Sequence, residues 1–317
     1  METIKYLLKR INIIAYSVFF KKFKIDDNIY YRSTKINPKI KKVFFYFPDD
    51  SLMHLGDHLF FEPICNLFRK NDFVVEIFPS NIMKEYFSKL GYSLNNKEGL
   101  LSTELIISSS RFLPELVKLK NDFLLIETEC PDIKKALIDD VLEKITSLFK
   151  MKNAVTSIPF YVYHNTNVKE RFNIDKHTKY LIFSNYLVSG SFRVFDKKHR
   201  KLEAAVIDLK YNYPEIKVIH IGSSKDLKND NKKYNFVDID LRGKTTVMDL
   251  FEISSLKEVV LYMGFDNFLM HLFFILNKDV KIMSRGRWSN KSRFFLENYI
   301  DPPFDINYYK GNKEYIK

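Results

Sequence analysis

The segment VVLYMGFDNFLMHL occupies residues 259–272, and its pattern indicates how the chain folds. Residues 259–262 are apolar and rich in β-branched side chains, which predicts a buried strand. Gly264 follows the strand, and residues 267–276 then predict a helix. A strand that passes through a short turn into a helix is the repeating half of a parallel βαβ unit.

The same alternation of strands and helices extends along the chain on both sides of this segment. In the second half it predicts strands at 180–183, 217–221 and 236–239, and helices at 198–212, 247–255 and 292–299. In the first half it predicts strands at 43–47, 73–78, 105–107 and 123–126, and helices at 58–70 and 81–90. A polar stretch at 157–178 separates the two arrays and is expected to be the linker between domains.

The sequence therefore predicts an α/β protein with two Rossmann-like domains that face a central cleft. The first domain is expected to span residues 41–160 and the second residues 161–317. Residues 1–40 are expected to form an N-terminal extension.

Charge and cysteine content narrow the classes of partner. The formal net charge is +12, which favours anionic partners but is equally typical of a solvated, Lys-rich surface. No nucleic-acid-binding module is recognised, so we expect no nucleic acid as a partner. Cys65 and Cys130 are the only cysteines and have no ligand-like spacing, which argues against a disulfide scaffold or a zinc site and favours a reducing compartment.

Residues 1–24 have an apolar centre with Lys and Arg at both ends. The uninterrupted apolar stretch is shorter than the roughly 20 residues of a spanning helix, and no cleavage pattern of a signal peptide follows it. One interpretation is an amphipathic helix on an anionic membrane surface. The other is a helix packed on the N-terminal domain through the apolar residues Leu7, Leu8, Ile11, Ile14 and Phe19.

Two acidic residues follow predicted strands, where α/β proteins bind ligands. Asp57, after Gly56, either takes a proton from an attacking hydroxyl or only caps the helix that starts at His58. Asp266 is expected to cap the helix predicted at 267–276, whose first amides and dipole suit a diphosphate. His271, one turn inside that helix, is either a ligand contact or a structural histidine.

Residues 241–245, LRGKT, precede the helix predicted at 247–255. Thr245 or Thr246 is expected to cap that helix and to contact phosphate. Asp238 and Asp240 match the loose Asp-x-Asp pattern of some metal-dependent enzymes, but this short pattern is weak, and we reject it as a metal site.

Taken together, these segments resemble the heptosyltransferase family, glycosyltransferase family 9, whose members have the GT-B fold. The family has Leu-Gly-Asp, four variable residues and Pro after its first strand, and Leu55-Gly56-Asp57 with Pro63 matches with one additional spacer residue. Its Leu-x-Gly-Lys-Thr motif is matched by residues 241–245. Its Asn-Asp-Ser-Gly-Pro-Met-His-Leu motif is matched within 265–272 at the Asp, Met, His and Leu positions, with Phe268 in place of glycine.

The resemblance covers residues 40–300 and implies an inverting, metal-independent glycosyltransferase that needs no cofactor. The first domain would bind the acceptor and the second the nucleotide-sugar donor, with the final helix packing back toward the first domain. Asp57 would be the catalytic base. The residues expected to bind the donor are Ser191, Arg193, Lys197, Lys244, Thr245, Thr246, Asp266, Asn267 and His271.

This interpretation assigns the protein to sugar transfer at the cytoplasmic face of a bacterial inner membrane. The donor would be a nucleotide sugar carrying heptose or another sugar, and the acceptor a lipid-linked glycan of lipopolysaccharide, lipooligosaccharide or capsule. The alternative is a non-catalytic protein of GT-B fold that binds a membrane or an anionic glycan through its basic surface, because a fold does not establish a function.

Overall fold

The computed structural model describes residues 24–26, 28–32, 37, 39–48, 52–128, 136–155, 167–186, 196–283 and 306–309. For residues 24–26, 196–197 and 306–309 it describes the backbone only. The chain divides into two compact units, Met1–Phe160 and Tyr161–Lys317.

The first unit is built on a seven-stranded sheet. Its strands are β1 (Lys24–Asp26), β2 (Ile29–Tyr31), β3 (Lys42–Tyr46), β4 (Val74–Phe78), β5 (Ser93–Leu94), β6 (Leu105–Ser109) and β7 (Asp122–Ile126). Its helices are α1 (Leu55–Lys70), α2 (Lys84–Lys89), α3 (Leu113–Leu116) and α4 (Leu137–Leu148), with 3₁₀ turns at Asn81–Met83, Lys97–Ser102 and Ser110–Phe112. The strand order is β1-β2-β7-β6-β3-β4-β5. The five neighbouring strands β7, β6, β3, β4 and β5 run parallel to one another, whereas β2 is antiparallel to both β7 and β1.

Strand β3 lies inside the sheet, and its residues explain why. Val43, Phe44, Phe45 and Tyr46 are all buried, without the alternation of a strand that has one wet face. A continuous apolar run of this kind is typical of a parallel strand covered on both faces. On α1, Cys65 is a free and buried thiol, whereas Cys130 lies outside the described residues.

The second unit has a six-stranded sheet. Its strands are β8 (Lys179–Ser184), β9 (Ile216–His220), β10 (Ile239–Asp240), β11 (Val259–Phe265), β12 (Asp279–Met283) and β13 (Ile306–Tyr309). Its helices are α5 (Asn167–Arg171), α6 (Asp196–Asn212), α7 (Ser224–Asn229), α8 (Val247–Ser255) and α9 (Phe268–Ile275). The order is β10-β9-β8-β11-β12-β13, parallel except for β13, which is antiparallel to β12.

Several boundaries differ from those that the sequence predicts. Strands β1 and β2 belong to the first sheet, so the extension predicted at 1–40 ends earlier. The predicted linker at 157–178 contains α5, and Val168, Phe172 and Ile174 lie in the core of the second unit. The strand predicted at 236–239 is reduced to β10, and the helix predicted at 292–299 lies outside the described residues.

Each sheet has one position where the strand order reverses. In the first sheet β3 lies between β4 and β6, and in the second β8 lies between β9 and β11. The carboxyl ends of strands at such a reversal border a crevice in which open α/β sheets bind ligands. The loops after β3 and β6, and those after β8 and β11, are therefore where a ligand site is expected.

Candidate functional site

Asp57 lies in the first turn of α1, directly after the β3 loop. The residue that caps α1 is His54, and the carboxylate Oδ2 of Asp57 accepts a hydrogen bond from the His54 backbone N–H at 2.9 Å. The helix thus begins at Leu55 rather than at His58, and the alternative in which Asp57 is its N-cap is wrong. Asp57 instead closes the cap from inside the helix, as an acidic residue at the third helical position does in a capping box.

The main partner of Asp57 is Arg111, which follows β6. Arg111 Nη1 lies 2.8 Å from Asp57 Oδ2, and the two side chains are only 5% and 2% exposed. The guanidinium also donates to the Leu52 carbonyl at 2.7 Å and to Thr128 Oγ1 at 3.2 Å. One buried arginine therefore joins the segments that follow β3, β6 and β7 around the predicted base.

Arg111 is a site residue that the sequence analysis does not identify. The only signal is one basic residue after the buried run of residues 105–110, and the ion pair with Asp57 spans 54 positions. A guanidinium in contact with a carboxylate favours its ionised form, which is the only form that accepts a proton. The same contact weakens the carboxylate as a base.

His58, the next residue of α1, has a structural position. Its Nδ1 lies 3.0 Å from the His54 carbonyl, and its Nε2 lies 3.0 Å from Ser80 Oγ in the segment after β4. The imidazole is fully buried. It therefore connects the start of α1 to a neighbouring loop instead of facing a ligand.

In the second unit, the residues of the LRGKT segment follow β10. Arg242 is almost fully buried, and its Nε and Nη2 donate to the Asp240 carboxylate. Its Nη1 donates to Tyr186 Oη at 3.2 Å and to the Asp230 carbonyl at 2.7 Å. Nη2 also donates to the Lys232 carbonyl at 2.9 Å. A guanidinium has five N–H donors, and these contacts occupy all of them. Arg242 therefore binds only groups of the protein itself and has no N–H donor left for a phosphate.

The other residues of this segment have separate roles. Gly243 has a φ of 70°, and its N–H donates to the Gly222 carbonyl at 2.8 Å, so the motif glycine is required by a left-handed backbone. Lys244 is exposed, and its Nζ contacts the Asp240 carbonyl at 2.8 Å. Of the two candidate threonines, Thr246 caps α8 and exchanges hydrogen bonds with Asp249 in a capping box.

The carboxylates of the Asp-x-Asp pattern bind cations of the protein itself. Asp238 accepts from Lys210 Nζ at 2.6 Å and from the Val218 N–H at 2.8 Å. Burial alone would raise the pKa of Asp240, but hydrogen bonds from Arg242 outweigh it and lower that pKa. Within the described residues, no three His, Cys, Asp or Glu side chains are grouped so as to hold a metal ion.

The loop after β11 corrects a second capping expectation. Asn267, not Asp266, caps α9, and its Oδ1 accepts from the Leu269 N–H at 2.9 Å and the Met270 N–H at 3.4 Å. Two of the helix amides expected to meet the donor diphosphate are thus bonded to Asn267. Asp266 is buried with its Oδ1 3.9 Å from His271 Nε2, which favours a structural role for that histidine.

Buried polar side chains fill the space between the β8, β9 and β10 ends. Asn185 accepts from His220 Nε2 at 3.0 Å through its Oδ1 and donates to Tyr234 Oη at 2.8 Å. Tyr234 donates in turn to Asp230 Oδ2 at 2.9 Å. Burial, and then the charge of Arg242, lower the pKa of His220 to about 3, so its ring is neutral at physiological pH.

The remaining predicted donor residues are not resolved by this geometry. Ser191 and Arg193 lie outside the described residues, and Lys197 is described by its backbone only, in the first turn of α6. Their roles, and a cleft shared by the two units, stay predictions. In the part of the chain that the structure describes, no helix is long and apolar enough to cross a bilayer.

Two solved structures cover most of this chain and share its fold. A glycosyl transferase family 9 protein from Veillonella parvula DSM 2008 matches over 84% of this chain and 86% of its own, with a TM-score of 0.57 and 12% identity. The ADP-heptose lipopolysaccharide heptosyltransferase II of E. coli matches over 81% of this chain and 88% of its own, with a TM-score of 0.53 and 13% identity. No family model and no curated protein sequence matches the chain.

The structural likeness confirms the predicted fold class, a GT-B arrangement of two Rossmann-like domains. Both neighbours are glycosyltransferases of the kind that the sequence motifs resemble. At this level of identity the likeness establishes the fold, and the activity has to be argued from the residues.

Proposed function

We propose that this chain is an inverting, metal-independent glycosyltransferase that moves a sugar from a nucleotide-sugar donor to a glycan acceptor. The observation that carries the proposal is the position of the motif residues within a GT-B fold. Asp57 follows β3, and the segments at 240–246 and 266–271 follow β10 and β11, so each unit carries its motif at the carboxyl ends of its parallel strands. Open α/β sheets bind ligands at that edge.

Asp57 is the proposed base. In a single displacement, the acceptor hydroxyl loses its proton to Asp57 while its oxygen attacks the anomeric carbon of the donor. The bond between that carbon and the diphosphate oxygen breaks, and nucleoside diphosphate leaves with the bonding electrons. Arg111 supports the step because its guanidinium holds the Asp57 carboxylate in place before the acceptor binds.

The proposed donor site is in the second unit, where a diphosphate would meet Lys244, Thr245 and the start of α9. Charge that grows on the leaving diphosphate would be stabilised by Arg193 and Lys197, the basic residues after β8. Arg242 is excluded as a phosphate ligand because all its donors are used within the protein.

The proposed acceptor is a lipid-linked glycan of lipopolysaccharide, lipooligosaccharide or capsule type, reached at the cytoplasmic face of the inner membrane. Two features support it. The net charge of +12 suits an anionic surface, and residues 1–24 combine an apolar centre with basic ends.

The test is release of nucleoside diphosphate from a panel of ADP-, UDP- and GDP-linked sugars, with and without a chelator. We expect release from at least one donor, unchanged by the chelator, and a product of inverted anomeric configuration by NMR. Arg193→Ala and Lys197→Ala should each raise the donor KM and lower kcat. A retained configuration or loss of activity with the chelator would refute the mechanism, and no release from any donor would refute the transferase.

Two observations favour the alternative of a non-catalytic protein that binds a membrane or an anionic glycan. Asn267 already occupies two amides of α9, and Phe268 stands where the family motif has glycine. Thermal stabilisation by a nucleoside diphosphate separates the two, because only a protein with a donor site gains stability from that ligand. We expect stabilisation by one nucleotide of the panel; its absence with all of them favours the alternative.

A further inference from the structure

Tyr186 lies just after β8, at the strand where the order of the second sheet reverses. It is 4% exposed, and its hydroxyl donates to Asp230 Oδ2 at 3.2 Å and accepts from Arg242 Nη1 at 3.2 Å. Its main-chain carbonyl accepts from Asn267 Nδ2 at 2.9 Å. One residue thus contacts both the segment after β10 and the cap of α9.

The Tyr186 ring is held as firmly as its hydroxyl. It stacks on the His220 imidazole with ring centroids 5.7 Å apart and an angle of 4° between the planes. On another side is Gly222, where an added Cβ would lie 2.6 Å from a ring carbon of Tyr186. The phenol therefore has one position, set by its neighbours on β9 and on the loop that follows.

The contacts of Tyr186 reach the two segments that carry the predicted donor residues. Through Arg242 the hydroxyl is connected to Asp240 and so to the backbone of residues 240–246, which include Lys244 and Thr245. Through Asn267 the carbonyl is connected to the first amides of α9. A diphosphate contacted from both segments needs them at a fixed spacing, because its binding groups must be in place before the ligand arrives.

We propose that Tyr186 is a positioning residue of the donor site, which sets the spacing between residues 240–246 and the start of α9 for the diphosphate of a nucleotide sugar. This inference rests on the proposed function. It assigns a role to a residue that none of the sequence motifs includes, and it gives Arg242 the role of connecting Tyr186 to the motif instead of contacting the ligand.

The test compares Tyr186→Phe with Tyr180→Phe. Tyr180 is a matched control because it is 1% exposed and its hydroxyl accepts a hydrogen bond from the Asp175 N–H at 2.9 Å. It lies at the start of β8, whereas Tyr186 follows the end of that strand. Tyr186→Phe removes both hydrogen bonds of the hydroxyl and should raise the donor KM about tenfold, with the acceptor KM unchanged. Tyr180→Phe should change neither.

A merely structural role would give a different result. General loss of folded protein lowers the apparent kcat with both substrates and leaves both KM values in place. Equal effects of the two substitutions, or an unchanged donor KM in Tyr186→Phe, would overturn the proposal. Arg242→Lys, which keeps the charge but loses the forked geometry, should raise the donor KM in the same direction.

Amide hydrogen exchange separates this inference from the proposed function. In Tyr186→Phe, which removes the hydroxyl but keeps the main-chain carbonyl that accepts from Asn267, exchange should rise at residues 240–246 and stay unchanged at the first turn of α9. In Tyr180→Phe it should rise at neither segment. If the wild-type protein releases no nucleoside diphosphate, the proposed function fails and exchange alone decides the positioning role. Unchanged exchange at residues 240–246 in Tyr186→Phe would overturn that role, whatever the activity.

Discussion

Replacement of Asp57 by Asn is the sharpest test of the proposed chemistry, and the structure changes how it has to be done. Asparagine keeps the size of the side chain and still accepts from the His54 N–H. It removes, however, the negative charge that compensates Arg111, whose side chain is only 5% exposed. Breaking a buried ion pair from one side costs about 3–5 kcal/mol, because the remaining charge is left uncompensated.

That loss is a large part of the roughly 5–15 kcal/mol that stabilises a typical domain. An inactive Asp57→Asn protein therefore does not by itself identify a base. The double variant Asp57→Asn/Arg111→Met removes both charges and should recover most of the stability. The carbonyl of Leu52 and the hydroxyl of Thr128 lose their donor, so a deficit of about 1 kcal/mol for each is expected to remain.

The assay combines urea unfolding with nucleoside diphosphate release. We expect Asp57→Asn to lose about 3–5 kcal/mol of unfolding free energy and the double variant to recover at least half of it. Turnover should stay about 100- to 10,000-fold below wild type in both, since neither has a general base. A double variant with turnover within about tenfold of wild type would refute the catalytic role of Asp57, and an unchanged stability in Asp57→Asn would refute the ion-pair argument.

Three further predictions follow from the second unit and from the N-terminal residues. Burial lowers the pKa of His220 from 6.5 to about 3, so the unfolded chain binds a proton between these pH values that the folded protein does not. The free energy of unfolding should therefore fall as the pH is lowered from 6.5 to 3, by up to about 1.4 kcal/mol per pH unit. Urea unfolding should show a shallower fall in His220→Gln. Gly243→Ala should lower the free energy of unfolding by about 1–2 kcal/mol because of its left-handed backbone, and by more because the added Cβ would lie 3.1 Å from the Ser224 backbone. Gly91→Ala, at a φ of 75° with open space around it, should lose only the backbone contribution. Equal losses of the two variants in thermal unfolding would contradict this. Removal of residues 1–23 leaves β1 intact and should weaken sedimentation of the protein with anionic liposomes, since each basic residue near such a surface contributes about 1 kcal/mol. Nucleotide binding should not change. Unchanged sedimentation would favour a helix packed on the first unit.

The local pattern of the sequence predicts β3, β4, β6, β7, β8, β9 and β11, because their residues are apolar runs between turns, but it misses the parallel strands β5 and β12. It fails where an element depends on distant partners. The helix α5 lies in a polar stretch and depends on the burial of Val168 and Phe172 in the second core. Residues 236 and 237 are apolar because they pack against the α6 side of that core, and only Ile239 and Asp240 pair with β9.

The candidate site shows the same division. The motifs place Asp57 after β3 and Asn267 after β11, where the structure has them, but they do not predict the contacts that either residue makes. Aspartate and asparagine cap helices about equally well, so the sequence cannot choose between Asp266 and Asn267. The sequence does not predict the contacts of Arg111 and Tyr186, because their partners are distant along the chain. Arg111 is 54 positions from Asp57, and Tyr186 is 56 positions from Arg242.

The saturation of Arg242 limits how this segment can change over evolutionary time. A neutral residue at position 242 would leave the carbonyls of Asp230 and Lys232 without their donor and the Asp240 carboxylate with only the backbone N–H of residue 242, so a single substitution meets several penalties at once. Substitutions that share partners in this way are epistatic, and their costs do not add. Replacement of the arginine costs less when the acidic residue two positions before it changes with it, so we expect substitutions at the two positions to occur together.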